Sequence, residues 1–155
     1  MAILTGPQGF HSDTSVIDSS ETVPLGTKAQ DVDGNEYIYL KGVADTAANS
    51  WVTFDEAHLT TLAVADAQGR VAVAMAAVVA DKYGWYQIYG SATGKALASF
   101  ADNGKVYLTS TAGSVDDAAV AGDCVFGAIG RSAVSGGTAT FELNYPEVLD
   151  GAYLT

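Results

Sequence analysis

Residues 138–145 alternate without a break: Ala139, Phe141, Leu143 and Tyr145 fall to one side, Thr138, Thr140, Glu142 and Asn144 to the other. A period of two is the period of a half-buried strand, whereas a helix would spread these residues around its circumference. The same pattern recurs along the chain. In the run Glu36 to Lys41, Ile38 and Leu40 share one side while Tyr37, Tyr39 and Lys41 share the other. Asp33-Gly34 separates that run from the extended stretch Leu25 to Gln30. It predicts a hairpin, because glycine accepts the positive φ of a tight turn. Further short strands are expected at Ser50 to Phe54, Thr60 to Ala65, Trp85 to Tyr89, Lys95 to Phe100, Lys105 to Ser110 and Cys124 to Arg131. Pro146, which lacks an N–H for a ladder, is expected to stop the last strand.

Arg70 to Val79 reads two ways. Its alanines, with Lys82 and Gly84 beyond, suit a helix. Val71, Val73, Met75 and Val79 on one side, with small residues opposite, suit a strand buried on both faces, and this is the preferred reading. About nine strands with short turns then give an all-β fold, a single barrel or sandwich over residues 23–146. An extended N-terminal arm (1–22) precedes it and a C-terminal tail (147–155) follows. At 155 residues the chain has the size of one domain.

Charge excludes one class of partner. The chain has 18 acids against 7 bases, a formal net charge of −11. Its cations are scattered singly, so the basic surface that nucleic acid requires is missing. The longest apolar run, Val71 to Ala80, is half of what a bilayer-spanning helix needs. The opening residues lack the cationic and apolar regions of a signal peptide, and synthesis as a soluble protein in a reducing cytoplasm is expected.

Catalytic and metal templates fail on named residues. Asp31 to Glu36 looks like a calcium loop, but its glycine is at the fourth position and Gly42 stands where a bidentate glutamate is needed. Gly90 to Ala96 has one residue too few between its glycines for a phosphate loop, and reads as a connection between strands. Cys124 is the sole cysteine and opens an apolar strand, as a buried inert thiol would. His58 has only Asp55 and Glu56 beside it as metal ligands, and a solvated turn accounts for all three. No catalytic residue, metal or cofactor is therefore expected. Trp85 and Tyr89, on one side of their strand, are an alternative sugar-stacking platform, although core packing explains Trp85 more simply.

Contact surfaces are the remaining possibility. Ile3, Leu4, Phe10, Val16 and Ile17 place apolar side chains along a polar arm, and Val148, Leu149, Tyr153 and Leu154 form a second apolar group after the last strand. Either terminus could clip one subunit to another.

Three segments carry a family resemblance: Pro24-Leu25-Gly26-Thr27 with Asp33 to Tyr39; Tyr83-Gly84-Trp85-Tyr86-Gln87-Ile88-Tyr89-Gly90; and Gly122-Asp123 through Gly127 to Phe141-Glu142-Leu143. Together they resemble head decoration (capsid cement) proteins of tailed bacteriophages. The resemblance spans residues 23–146 and leaves the arm outside. It implies a non-enzymatic β-rich protein, commonly a homotrimer, bound in many copies to the major capsid protein lattice on the virion exterior. A strongly acidic chain fits the outside of a shell better than its DNA-filled lumen. A tail or connector component and a carbohydrate-binding module on the virion are the alternatives.

Overall fold

The structure, a computed structural model, describes residues 3–5 and 11–149. It is all-β. Twelve strands are present among the described residues: β1 (Ile3–Thr5), β2 (His11–Asp13), β3 (Lys28–Gln30), β4 (Glu36–Lys41), β5 (Trp51–Phe54), β6 (Thr60–Leu62), β7 (Gly69–Ala74), β8 (Tyr83–Lys95), β9 (Lys105–Leu108), β10 (Val115–Asp116), β11 (Cys124–Gly130) and β12 (Thr138–Val148). They form one sheet in the order β10-β9-β11-β12-β7-β8-β4-β3-β1-β2, with β5 on the free side of β7 and β6 on β5. The ladder is open, with β10 and β2 at its ends. Two isolated bridges, Lys41 to Leu59 and Ala96 to Val115, join segments distant in that order, so the sheet curls back on itself twice.

Each curl holds a core. The first gathers Ile38, Leu40, Val52, Phe54, Ala72, Ala74, Tyr86 and Ile88. The second is larger and centres on Trp51, Val73, Phe100, Leu108, Phe141 and Leu143. Trp51 meets Phe141 edge-on at 4.9 Å and donates its indole N–H to the Lys95 carbonyl at 3.1 Å. A third cluster of Tyr37, Tyr39 and Trp85 lies on the far face of β4 and β8. The alternation of Ile38 and Leu40 against Tyr37 and Tyr39 thus separates two cores, rather than a core from solvent, and aromatic and branched residues suit such a strand.

The Asp33-Gly34 hairpin joins β3 to β4, with Gly34 at φ +86°. Asp31 closes the loop from inside. Its carboxylate accepts the backbone N–H groups of Asp33 and Asn35 at 2.9 and 3.0 Å, the Asn35 amide at 2.9 Å and the Tyr37 hydroxyl at 2.9 Å.

Four expectations are corrected. The strand expected at Lys95 to Phe100 is not formed: β8 ends at Lys95, Ala96 makes a single bridge to Val115, and the Phe100 N–H turns back to the Leu97 carbonyl at 3.3 Å. The strand from Arg70 ends at Ala74, not Val79. β7 and β8 are antiparallel neighbours, so the chain must reverse between them, and it does so through short-range bonds such as Val78 N–H to the Ala76 carbonyl (2.8 Å). Residues 90–94 are not a connection: they lie inside β8, where Gly90 at φ +96° takes up a change of partner. The first half of β8 pairs with β4 and β7, the second half with β12.

Pro146 does not stop β12, which runs on to Val148. It sits where β12 leaves β8 after the Tyr89–Asn144 pair and takes up β7 at Glu147–Arg70. Tyr145 has φ +48°, Gly127 opposite has φ +78°, and the β11–β12 register shifts between Phe126 and Ala128. Proline is tolerated at such a bulge because the residue there owes no ladder hydrogen bond.

Candidate functional site

His58 lies in a turn closed by Asp55, and Cys124 opens β11. The Asp55 carboxylate accepts the N–H groups of Ala57 and Leu59 at 2.9 and 3.0 Å, and the His58 N–H bonds the Asp55 carbonyl at 3.0 Å. That is a self-contained turn, with His58 at φ +62°. Burial pushes the Cys124 thiol pKa up, and Lys105 only opposes this, so the thiolate is disfavoured. Among the described residues no group of three or more His, Cys, Asp or Glu side chains is arranged around a cation position.

The arm is tied to the sheet through the β1–β3 pair at Thr5–Gln30 and, nearer the domain, at Asp18. Asp18 exchanges backbone hydrogen bonds with Tyr83 at 2.8 and 3.0 Å. Its carboxylate accepts the Tyr39 hydroxyl at 2.6 Å and the Thr22 hydroxyl at 2.9 Å. Lys82 adds a bond to the Ser19 hydroxyl at 3.2 Å. Aspartate at position 18 therefore makes residues 16–19 part of the surface beside β8. Val16 and Ile17 precede the latch and stand 42% and 41% exposed, and Ile3 on β1 is 60% exposed. Leu4 lies on β1, but its side chain, like Phe10, Tyr153 and Leu154, is outside the described residues. At the other end Leu149 is half exposed, whereas Val148 is fully buried in this chain's own larger core and is withdrawn from any partner. Strand β12 carries it there by continuing past Pro146.

Trp85 and Tyr89 are not a platform. Trp85 is 1% exposed and packs against Tyr39 with ring centroids 5.2 Å apart. Tyr89 is 38% exposed, and its neighbour is Tyr145, 49% exposed, with centroids 5.3 Å apart and planes 35° from parallel. The Tyr145 hydroxyl donates to the Glu36 carboxylate at 2.5 Å, and Lys28 lies over its ring at 5.9 Å. Simple alternation puts Tyr145 with Phe141 and Leu143 in the core. The bulge before Pro146 reverses it, and a proline inside an otherwise regular strand pattern was the only signal.

Around this pair the outer face of the β8–β12 ladder is polar. Register sets Tyr89 beside Asn144, Ser91 beside Glu142 and Thr93 beside Thr140. Arg131 reaches the middle pair of the row from beside β12, bonding Glu142 at 2.9 Å and Asn103 at 2.9 Å. The face is braced from below. The buried Gln87 amide donates to the carbonyls of Tyr89 and Ser91, both at 3.0 Å, and the Asn35 side chain accepts the Ser91 N–H at 3.1 Å. The result is a shallow groove of about 480 Å³ with Tyr89 at one end and Arg131 at the other.

No family model, curated protein or solved structure matches this chain.

Proposed function

We propose that the chain is a non-enzymatic structural protein of a tailed bacteriophage that binds the outer surface of the assembled capsid and stabilises it by bridging subunits. The observation that carries the reading is the Asp18 latch. It holds Val16 and Ile17 outward on a fixed surface rather than on a loose tail, so docking them costs little further ordering. Covering half-exposed aliphatic side chains is worth on the order of 1 kcal/mol each, small for one copy but repeated over a lattice. The charge of −11 supports an exterior position, away from packaged DNA. The resemblance supports assembly as a homotrimer on the major capsid protein.

Stabilisation requires that the assembled lattice be bound better than free capsid subunits. The test is cosedimentation of the purified chain with empty expanded shells of the phage that encodes it, together with the temperature at which those shells rupture. Saturable binding in a fixed ratio to capsid subunits and a higher rupture temperature are expected. The double variant V16S/I17S should bind at least ~10-fold more weakly at unchanged fold stability. Shells that take up no protein, or virions carrying it only at the copy number of a tail ring, would overturn the reading.

A further inference from the structure

The geometry points to a second, separate property: the outer face of the β8–β12 ladder is a carbohydrate-binding site, with Tyr89, backed by Tyr145, as its stacking wall. A pyranose presents a face of C–H bonds and an edge of hydroxyls. It is held where an exposed aromatic ring adjoins planar or hydroxylic groups that bond in the ring plane. Tyr89 offers the ring. Its orientation is set by Tyr145, itself tethered through its hydroxyl to Glu36.

The polar partners are free. The Asn144 carboxamide and the Ser91 hydroxyl lie on the same face as Tyr89 and make no hydrogen bond to any described residue. The Asn144 amide supplies both donors and an acceptor, and the serine supplies one donor and an acceptor. Farther along, Arg131 bonds Glu142 through Nε and Asn103 through Nη1, each at 2.9 Å, which leaves one Glu142 carboxylate oxygen and the Arg131 Nη2 without a hydrogen bond to a described residue. The groove of about 480 Å³ is of the size that takes one or two sugar rings. Because the strand face is rigid, little ordering is needed on binding. A neutral sugar is favoured over an anionic one, since the single cation of the row is already paired.

The experiment titrates the full chain with cellohexaose, laminarihexaose, maltohexaose and chitohexaose by calorimetry and ligand-observed NMR. At least one should bind with a dissociation constant of about 0.1–1 mM. Tyr89→Leu, which keeps an apolar side chain but removes the flat face, should weaken it by about tenfold or more. Asn144→Ala should weaken it roughly fivefold, and Val120→Ala, at an exposed side chain that does not line the groove, should not change it. Absence of binding by all four sugars, full binding by Tyr89→Leu, or loss of binding in Val120→Ala would each overturn the assignment. The readout is independent of shell binding, so this inference and the capsid reading fail separately.

Discussion

The Tyr39 hydroxyl donates to the Asp18 carboxylate at 2.6 Å across 21 residues of chain, and so ties the N-terminal arm to the buried face of β4. The same aspartate pairs through its backbone with Tyr83 at the start of β8. One side chain and one bridge therefore join three segments. Tyr39→Phe removes the phenolic donor and leaves the carboxylate with Thr22 and water. It should cost about 1–2 kcal/mol, the value of a partly buried hydrogen bond to a charged group. The specific readout is amide exchange: the N–H groups of Asp18 and Tyr83 should exchange faster, while those of the β7–β8 pairs stay protected. Equal protection in parent and variant would mean that the backbone bridge holds residue 18 without help from the Tyr39 hydroxyl.

The Asp31 carboxylate accepts four hydrogen bonds inside the first hairpin. Burial pushes its pKa up, but the bonds from Asn35, Tyr37 and Asp33 more than offset this and hold it below the ordinary 3.8. A depressed carboxylate contributes stability that is complete above its unfolded pKa and is lost as pH falls through the folded one. The parent should therefore lose stability below pH about 4, and Asp31→Asn should show less of that loss. At neutral pH the variant should be about 2–3 kcal/mol less stable, because an amide donor would face the Asn35 and Tyr37 donors. Urea melts across pH check both parts, and parallel acid profiles would refute the assignment.

How much of this was legible beforehand follows from locality. Strands at Glu36, Trp51, Lys105 and Thr138 were readable because alternation and turn dipeptides act over a few residues. The Asp33-Gly34 turn was readable for the same reason. The two cores flanking β4 were not, since Tyr37 and Tyr39 read equally well as a wet aromatic face. Partner exchange in β8 was hidden too: Gly90 and Gly94 look like loop glycines until β12 is known to lie beside them. The candidate face was half visible. Tyr89 stood out, but its companion Tyr145 is placed by a bulge that depends on Gly127, in a different strand.

Gly127 is the position at which that bulge is most exposed to change. At φ +78° a side chain is strained, and a Cβ there would meet the Asn144 carbonyl, a backbone atom that cannot swing away. Gly127→Ala should cost about 2–3 kcal/mol and displace Tyr145 from Glu36. Pro146→Ala should stay within about 1 kcal/mol of the parent, because the bulge asks no N–H of that residue. Thermal melts rank the two, and a larger loss for Pro146→Ala would show that proline's fixed φ, not the glycine, holds the bulge.

The Tyr86 hydroxyl is buried with no hydrogen-bond partner among the described residues. Thr60, on β6, has its hydroxyl committed to the Lys41 carbonyl at 2.7 Å. Burial pushes the Tyr86 pKa well above the ordinary 10.0, and Thr60 opposes this only in part. Tyr37 and Tyr39 are raised as well, by burial first and then by their bonds to Asp31 and Asp18. A phenol whose folded pKa is raised keeps its proton in the native state after the unfolded chain has released it. Stability is therefore present below pH about 10 and declines as pH rises beyond it. Tyr86→Phe removes one of the three groups together with an unsatisfied oxygen. It should be as stable as the parent or up to about 1 kcal/mol more stable at neutral pH, with a shallower alkaline decline that Tyr37 and Tyr39 keep from vanishing. A loss of about 1.5 kcal/mol or more at neutral pH would mean the hydroxyl is bonded after all. The Tyr86→Phe, Thr60→Val double variant would then show coupling between the two sites.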